Sequence, residues 1–371
     1  MSENMSKQVL VFAPQLKTLG GGEYVTLKMI ECLKNLGLKV KLATFKPPKW
    51  SLLKDFFGYL PEVSWLPLCQ QAENLPSYIR DLLTYVHLKA RKKKWLLINA
   101  IANEMPIPSH ISYIHALHFA RPLLIPSSSE ASVSKNVIGA RLRSKYLALS
   151  LKLSKDVLAA SNFTASILYQ LTGIQATVVH PPCKMLLYKP EDKRKIIVTI
   201  SRFSREKNLS LVLSIAKRLR NAKFMIVGGM SDVFYYEELH KEIKRHSLNN
   251  VYMIPNPPRR IYEDLVSRSM VCLHTTLYDS FPISLVEAMS AGTVLVVHKS
   301  GGPWKDILRE RQGLYGYAYR TIDEAVSYID KLISDEKLYR EIAERAYKRA
   351  YAFSENKFKQ RFSSIVLRHL K

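Results

Sequence analysis

A chain of 371 residues is longer than one hydrophobic core usually organises, which points to two domains of ordinary size. With 47% hydrophobic residues and no apolar run near the roughly 18 to 20 residues that cross a bilayer, a soluble globular protein is expected and an integral membrane protein is not. The formal net charge of +25 attracts polyanions, whether nucleic acid, an anionic membrane surface or phosphorylated small molecules, without choosing among them.

In chain order, the N-terminus "MSENMSKQVLVFAP" lacks the charged, apolar, then small-residue pattern of a secretory signal, so a cytoplasmic protein is expected. The apolar run 8–14 ends in proline and reads as a buried parallel strand. A glycine run, Gly20 to Gly22, leads into a helix with Val25, Met29, Cys32 and Leu36 at helical spacing and Gly37 as its stop. Residues 40–45 form the next strand, completing a βαβ unit. Within 88–98, five basic residues (Lys89, Arg91, Lys92, Lys93, Lys94) precede Trp95, a cluster suited to anionic headgroups but equally to a solvated helix end. Prolines and charges at 180–195 interrupt the alternation and mark the interdomain link.

The second half repeats the pattern, with strands at 195–201, 223–229, 251–255, 270–276 and 293–299. A helix with Val212, Ile215, Ala216 and Leu219 on one face follows the first of these, and the tail from about 322 is helical. Two parallel sheets imply two Rossmann-like domains, with ligands at the carboxyl ends of the strands. The expected division is 1–185, 186–345 and a C-terminal helix over 346–371 that packs back on the first domain. The four cysteines (Cys32, Cys69, Cys183, Cys272) lack Cys-x-x-Cys spacing, which disfavours both a disulfide framework and a zinc site.

The stretch "DSFPISLVEAMSAGTVLVVHKSGGP" (279–303) carries the sharpest chemistry. Asp279 and Ser280 stand where a helix N-cap belongs, Pro282 suits the first turn and Gly292 the end. The amides of Ile283 and Ser284 can hold an anion. Glu287 lies one turn further along the same face, and its carboxylate suits paired sugar hydroxyls. Arg202 and Lys207, at a strand's carboxyl end, can neutralise a diphosphate. Taken singly, each of these residues also has an ordinary reading as a cap or a solvated charge.

Together, Arg202 and Lys207, Asp279 with seven residues before Glu287, and "SGGP" at 300–303 resemble the nucleotide-sugar site of retaining GT-B glycosyltransferases of family 4. That resemblance implies an α/β fold of two Rossmann-like domains facing each other across a cleft, the first binding the acceptor and the second the nucleotide sugar. It gives Arg202 and Lys207 the donor diphosphate, Asp279 the sugar hydroxyls and Glu287 the nucleotide ribose, with Phe281, Ile283 and Ser284 lining the donor. "TLGGGEYVTL" is similar to the family's glycine loop, which assigns Gly21 and Gly22 to substrate. "EAMSAGTVLVVHKSGGPWKDIL" and "INAIANEMPIPSHISYIHALHFARP" are similar to the dolichol-linked oligosaccharide alpha-1,2-mannosyltransferases of asparagine-linked glycosylation. In that alignment His115 stands near the donor sugar, with His118 as its alternative. Asp279 departs from the more common Glu, and Pro282 from the more common Gly, removing one amide donor.

The expected reaction is transfer of a sugar, mannose favoured, from a nucleoside-diphosphate sugar, GDP-mannose ahead of a UDP-sugar, to a glycan or lipid-linked acceptor. Absence of an Asp-x-Asp motif leads us to expect no obligatory metal, and the charge leads us to expect a peripheral position at the cytoplasmic membrane face. Competing expectations are another GT-B enzyme such as an epimerase or phosphorylase, a silent partner subunit, and a basic nucleic-acid binder. The last lacks zinc-finger spacing, an RNP-like motif or a basic heptad region.

Overall fold

Strand β1 (Gln8–Phe12) buries all but its first residue, and α1 (Gly21–Asn35) follows, capped at its start by Gly20. Val25, Met29 and Cys32 form the buried face of α1, and Gly37, at φ +74°, turns the chain out of the helix. The remaining elements of this unit are β2 (Lys39–Thr44), α2 (Trp50–Phe57), β3 (Ser64–Pro67), α3 (Ser77–Lys92), β4 (Leu96–Asn99), β5 (Ile111–Ile114), α4 (Glu130–Lys152), β6 (Asp156–Ala159), α5 (Asn162–Thr172) and β7 (Thr177–Val178). They build one parallel sheet in the order β3-β2-β1-β4-β5-β6-β7. The structure is a computed structural model that describes residues 8–16, 20–68, 75–92, 95–120 and 130–370.

The second unit contains β8 (Arg194–Ile200), α6 (Ser210–Ala216), β9 (Lys223–Gly228), α7 (Val233–Arg245), β10 (Val251–Pro255), α8 (Arg259–Arg268), β11 (Ser269–His274), α9 (Ile283–Ser290), β12 (Val294–His298), β13 (Gly316–Tyr319), α10 (Ile322–Ser334) and α11 (Glu336–Ala350). Its sheet is also parallel, in the order β10-β9-β8-β11-β12-β13. Every residue of β11 is buried, as a strand covered by helices on both faces must be. One side of the sheet packs with α6 and α10 around Leu213, Phe224 and Ile329, the other with α9 and α11 around Leu285, Val297 and Ala346. In both sheets the strand order reverses beside the first strand, at β1/β4 and at β8/β11, and such switch points open a crevice at the strands' carboxyl ends.

The chain divides into two compact units, Met1–Pro182 with Glu355–Lys371, and Cys183–Ser354. At the crossing, the Cys183 amide donates to the Phe353 carbonyl at 3.0 Å. The final helix, α12 (Glu355–Leu370), belongs to the first unit and buries Phe358, Phe362 and Ile365. There Glu355 accepts from Tyr24 and pairs with Lys28 at 2.8 Å, tying α12 to α1. Cys32, Cys183 and Cys272 are buried and in no disulfide, and burial pushes the Cys272 thiol up to about 12. Cys69 lies outside the described residues.

Candidate donor site at a sheet switch point

The loops leaving β8 and β11 meet at the second unit's switch point. After β8, Arg202 precedes a short helical turn, Arg205–Lys207, whose exit residue Asn208 has φ 53°. After β11, Thr275 donates its hydroxyl to the Lys207 carbonyl at 2.7 Å, lashing the two loops together. Lys207 Nζ then lies 3.3 Å from Asp279 Oδ2, and His274 Nε2 lies 3.4 Å from the same oxygen. Burial works against the charge on Asp279, but Lys207 and His274 more than offset it and hold the carboxyl well below the usual carboxylate range.

This corrects the expected cap. Neither Asp279 nor Ser280 caps α9; the N-cap is Pro282, which has no side chain to offer. The Asp279 carboxylate is drawn instead to the lysine across the crevice, because a charged partner outweighs a backbone amide. Ile283 and Ser284 open the helix as expected, and the first amides of a helix have no partner within it. Phe281 is buried against Phe353, with ring centroids 5.2 Å apart, so it supports the loop from within the core.

The glycine pair answers to backbone contact. A Cβ on Gly302 would lie 1.8 Å from the Ser280 carbonyl oxygen, and one on Gly301, at φ +70°, 2.4 Å from that of Asp279. The Gly302 amide donates to the Asp279 carbonyl at 2.8 Å, and Ser300 Oγ accepts from the Tyr278 amide at 3.0 Å. Residues 300–302 therefore clamp the main chain that carries Asp279.

Glu287 is buried on α9 and belongs to a cluster that the sequence did not reveal. Arg259 Nη2 donates to its Oε1 at 2.9 Å, and the Tyr262 hydroxyl donates to its Oε2 at 2.7 Å. Arg259 also bonds Glu263 at 2.7 Å, which in turn accepts from Lys184 at 2.8 Å. Burial opposes the charge on Arg259, yet Glu287 and Glu263 more than offset it and raise its pKa further. Burial and the Glu287 carboxylate push the Tyr262 phenol well above its usual value, so it stays a donor. Arg259 and Tyr262 lie one turn apart on α8, a spacing too common to have flagged them.

Arg202 is largely exposed and pairs with Glu206 at 3.3 Å. Its stem runs past Gly229, where an added Cβ would sit 3.7 Å from the arginine Cγ. Lys207 and Asp279 are thus brought together, whereas Arg202 and Glu287 hold partners of their own.

In the first unit, Gly21 and Gly22 begin α1 at the carboxyl end of β1. A Cβ at Gly22 would meet nothing within 4 Å, leaving open space over the helix start. Residues 17–19 of the same loop lie outside the described residues. His115 follows β5 directly, its Nε2 at 2.8 Å from the Ala100 carbonyl, which fixes Nε2 as the protonated nitrogen. Burial lowers its pKa to about 4, against a smaller opposing pull from that carbonyl, so the ring is neutral at pH 7. His118 is exposed in the next turn. Trp95 is half-buried against the core around Phe12 and Leu97, with Lys41 Nζ 5.0 Å from its ring, so it is not a free partner of the basic cluster; Lys93 and Lys94 lie outside the described residues. Among the described residues, no group of three or more His, Cys, Asp or Glu side chains is arranged to hold a metal ion.

Comparison with known proteins bears on the family and the fold. Residues 188–349 match the family "Glycosyl transferases group 1". The chain is similar to a GDP-Man:Man(3)GlcNAc(2)-PP-Dol alpha-1,2-mannosyltransferase of Dictyostelium discoideum, 27% identical over 218 residues, covering 52% of this chain and 42% of that protein. For the human protein of the same name the identity is 25% over 239 residues, covering 57% of this chain and 48% of the other. The match therefore spans about half the length of these relatives. Among solved structures, Anabaena HepE in complex with UDP and glucose superposes with a TM-score of 0.71 at 18% identity, over 96% of this chain and 98% of its own. Sucrose-phosphate synthase of Thermosynechococcus elongatus gives a TM-score of 0.73 at 14% identity, over 98% and 99%. The second unit is thus similar to the glycosyl transferases group 1 family over residues 188–349, within a chain that has the GT-B fold.

Proposed function

We propose that the protein is a retaining glycosyltransferase moving a hexose, with mannose favoured, from a nucleoside-diphosphate sugar to a hydroxyl of a glycan or lipid-linked acceptor. The observation that carries this reading is the Lys207–Asp279 pair at a sheet switch point inside the segment similar to the glycosyl transferases group 1 family. GDP-mannose is favoured as donor over a UDP-sugar by similarity to the GDP-Man:Man(3)GlcNAc(2)-PP-Dol alpha-1,2-mannosyltransferases. That similarity also supports a dolichol-linked glycan as the acceptor class, and with it a working position at a membrane face. No helix among the described residues is long and apolar enough to cross a membrane.

As the glycosidic bond breaks, negative charge grows on the leaving diphosphate and positive charge on the sugar. Lys207, Arg202 and the amides of Ile283 and Ser284 supply preorganised positive potential for the leaving group. Asp279, kept ionised by Lys207, accepts hydrogen bonds from sugar hydroxyls and stabilises developing positive charge. Glu287, oriented by Arg259 and Tyr262, takes the ribose hydroxyls through its remaining lone pairs. Neutral His115, with its Nε2 hydrogen taken by Ala100, accepts a hydrogen bond from a donor-sugar hydroxyl at Nδ1, and the open helix start at Gly21 and Gly22 admits substrate close to the backbone. The donor phosphate itself accepts the acceptor's proton, which fits retention without a carboxylate pair of the hydrolase kind.

A thermal-shift series with GDP-mannose, UDP-glucose, GDP and UDP tests the donor assignment, because a ligand of the folded state raises the midpoint by mass action. The expected result is a shift with GDP-mannose that is lost in Lys207→Ala. No shift with any of the four would sink the reading. Labelled donor incubated without acceptor separates transfer from epimerisation, which needs no acceptor. A gel shift at physiological salt tests the nucleic-acid alternative, where nonspecific binding should fade.

A further inference from the structure

Helix α4 is apolar on two opposite sides. Its inner side puts Leu147 and Leu151 into the core with Ile114 and Leu168. Its outer side carries Ile138, Leu142 and Leu149 at helical spacing, and Leu153 continues the row just past its end, each between 55% and 66% exposed. Beside that row, on the same exposed side, run Arg141, Lys145 and Lys152. A globular surface helix should present polar residues there.

Helix α3 shows a related anomaly: Leu88 is buried in the core and Tyr85 packs against it, but polar residues share that inward side and apolar residues stand outside. The side turned inward holds Asp81 and Thr84, both 4% exposed, while Leu82, Leu83 and Val86 stand 60%, 48% and 58% exposed. The helices are neighbours: Tyr146 of α4 donates its hydroxyl to Asp81 Oδ2 at 3.2 Å, and Arg80 closes on the other oxygen at 3.1 Å. The inward Asp81 is thus anchored by hydrogen bonds, and the outward leucines are left for another phase to cover. Lys89 follows on α3, exposed and over the Tyr85 ring.

We propose that the outer faces of α3 and α4 form a surface that seats the protein on an anionic lipid bilayer, with the leucines entering the acyl boundary and Arg141, Lys145 and Lys152 meeting the headgroups. Apolar rows edged by Lys and Arg are what an interfacial helix needs. Charge chooses the occupant: a second copy would bring this basic edge, on a chain of net charge +25, against itself, whereas an anionic headgroup layer neutralises it. The proposal deepens the lipid-linked reading above and rests on it for the purpose of the surface, although the surface is tested without donor or acceptor. It also differs from purely electrostatic adsorption through Lys89 to Lys94, because apolar insertion survives salt that screens charge.

The test is co-flotation of the full chain with phosphatidylcholine vesicles and with the same vesicles doped with phosphatidylserine. Wild type should bind the doped vesicles and keep a substantial bound fraction at physiological salt. The triple variant Leu142→Gln, Leu149→Gln, Leu153→Gln should bind roughly tenfold less or weaker still, with an unchanged thermal midpoint, since those side chains touch solvent in the free protein. Leu149→Trp provides a second readout, as its emission should shift to the blue only with the doped vesicles. Equal flotation of wild type and triple variant would overturn the proposal, as would loss of all binding with modest salt. So would sedimentation showing that the leucines drive self-association while vesicles are ignored. If flotation fails but GDP-mannose still raises the midpoint, the surface is refuted and the enzyme reading stands.

Discussion

The two units share the order of their first six strands and differ in where their unusual residues lie. In the second, the departures from ordinary globular chemistry sit inside, at the switch point: a partly buried Lys207–Asp279 pair, and Glu287 held by Arg259 and Tyr262. In the first, the switch-point region holds glycines and a neutral His115, while the departures are outside, on the apolar faces of α3 and α4. A doubly wound sheet can thus be specialised by charge at its carboxyl edge or by the skin of its helices. The first device leaves motifs at short spacing; the second leaves only a periodicity whose inner and outer faces look alike.

If that contrast is right, the largest effect belongs to Lys207→Ala. It strips positive potential from the leaving group and leaves Asp279 without its cation, so kcat/KM should fall on the order of a hundredfold or more. Steady-state kinetics check this, and a fall of less than about threefold would dissolve the charge side of the comparison. Next comes Glu287→Ala, which removes the partner of Arg259 and Tyr262. Because Arg259 is 37% exposed, the loss should be about 1 to 3 kcal/mol, less than for a fully buried pair, read by urea unfolding alongside weaker donor binding. Glu287→Gln keeps the shape and should recover part of the stability.

The glycines sharpen the same contrast. Gly302→Ala drives a Cβ into the Ser280 carbonyl and should cost about 1 to 3 kcal/mol while loosening donor binding. Gly22→Ala meets open space, so stability should stay within about 0.5 kcal/mol while turnover falls if substrate approaches there. Equal stability losses for both would erase the difference between a clamp and an opening.

The last effect concerns acid. His115 has a folded pKa of about 4, below the ordinary histidine value of 6.5. Above pH 6.5 both folded and unfolded forms are neutral and its contribution is complete. Between 6.5 and 4 the unfolded chain takes up the proton first, so stability declines, and below 4 the slope ends. The urea midpoint of the wild type should therefore fall faster across that window than that of His115→Phe.

Most of the architecture was legible because parallel strands are apolar runs with turn residues at both ends, and the segments at 223–229, 251–255 and 293–299 fall on β9, β10 and β12. At the site, the acid and base types were legible but their partners were not. Asp279 reads as a cap from its neighbours in sequence, and only the fold brings Lys207, seventy-two positions away, to its side. Arg259 and Tyr262 are ordinary residues of α8 until α9 lies against them. The role of Gly301 and Gly302 as spacers for another loop's carbonyls depends on a close approach that no local pattern encodes. For α3 and α4, helical spacing finds the apolar rows, but the neighbouring Tyr146 and Asp81 decide which row is buried.

Helix α12 closes the first unit although it is made after the whole of the second. During synthesis, which proceeds from the N-terminus, the bed for Phe358 and Phe362 must stay uncovered on the nascent chain until that helix leaves the ribosome. A chaperone that shields apolar surface would have its longest engagement there, and shortening the chain before Glu355 would make the exposure permanent.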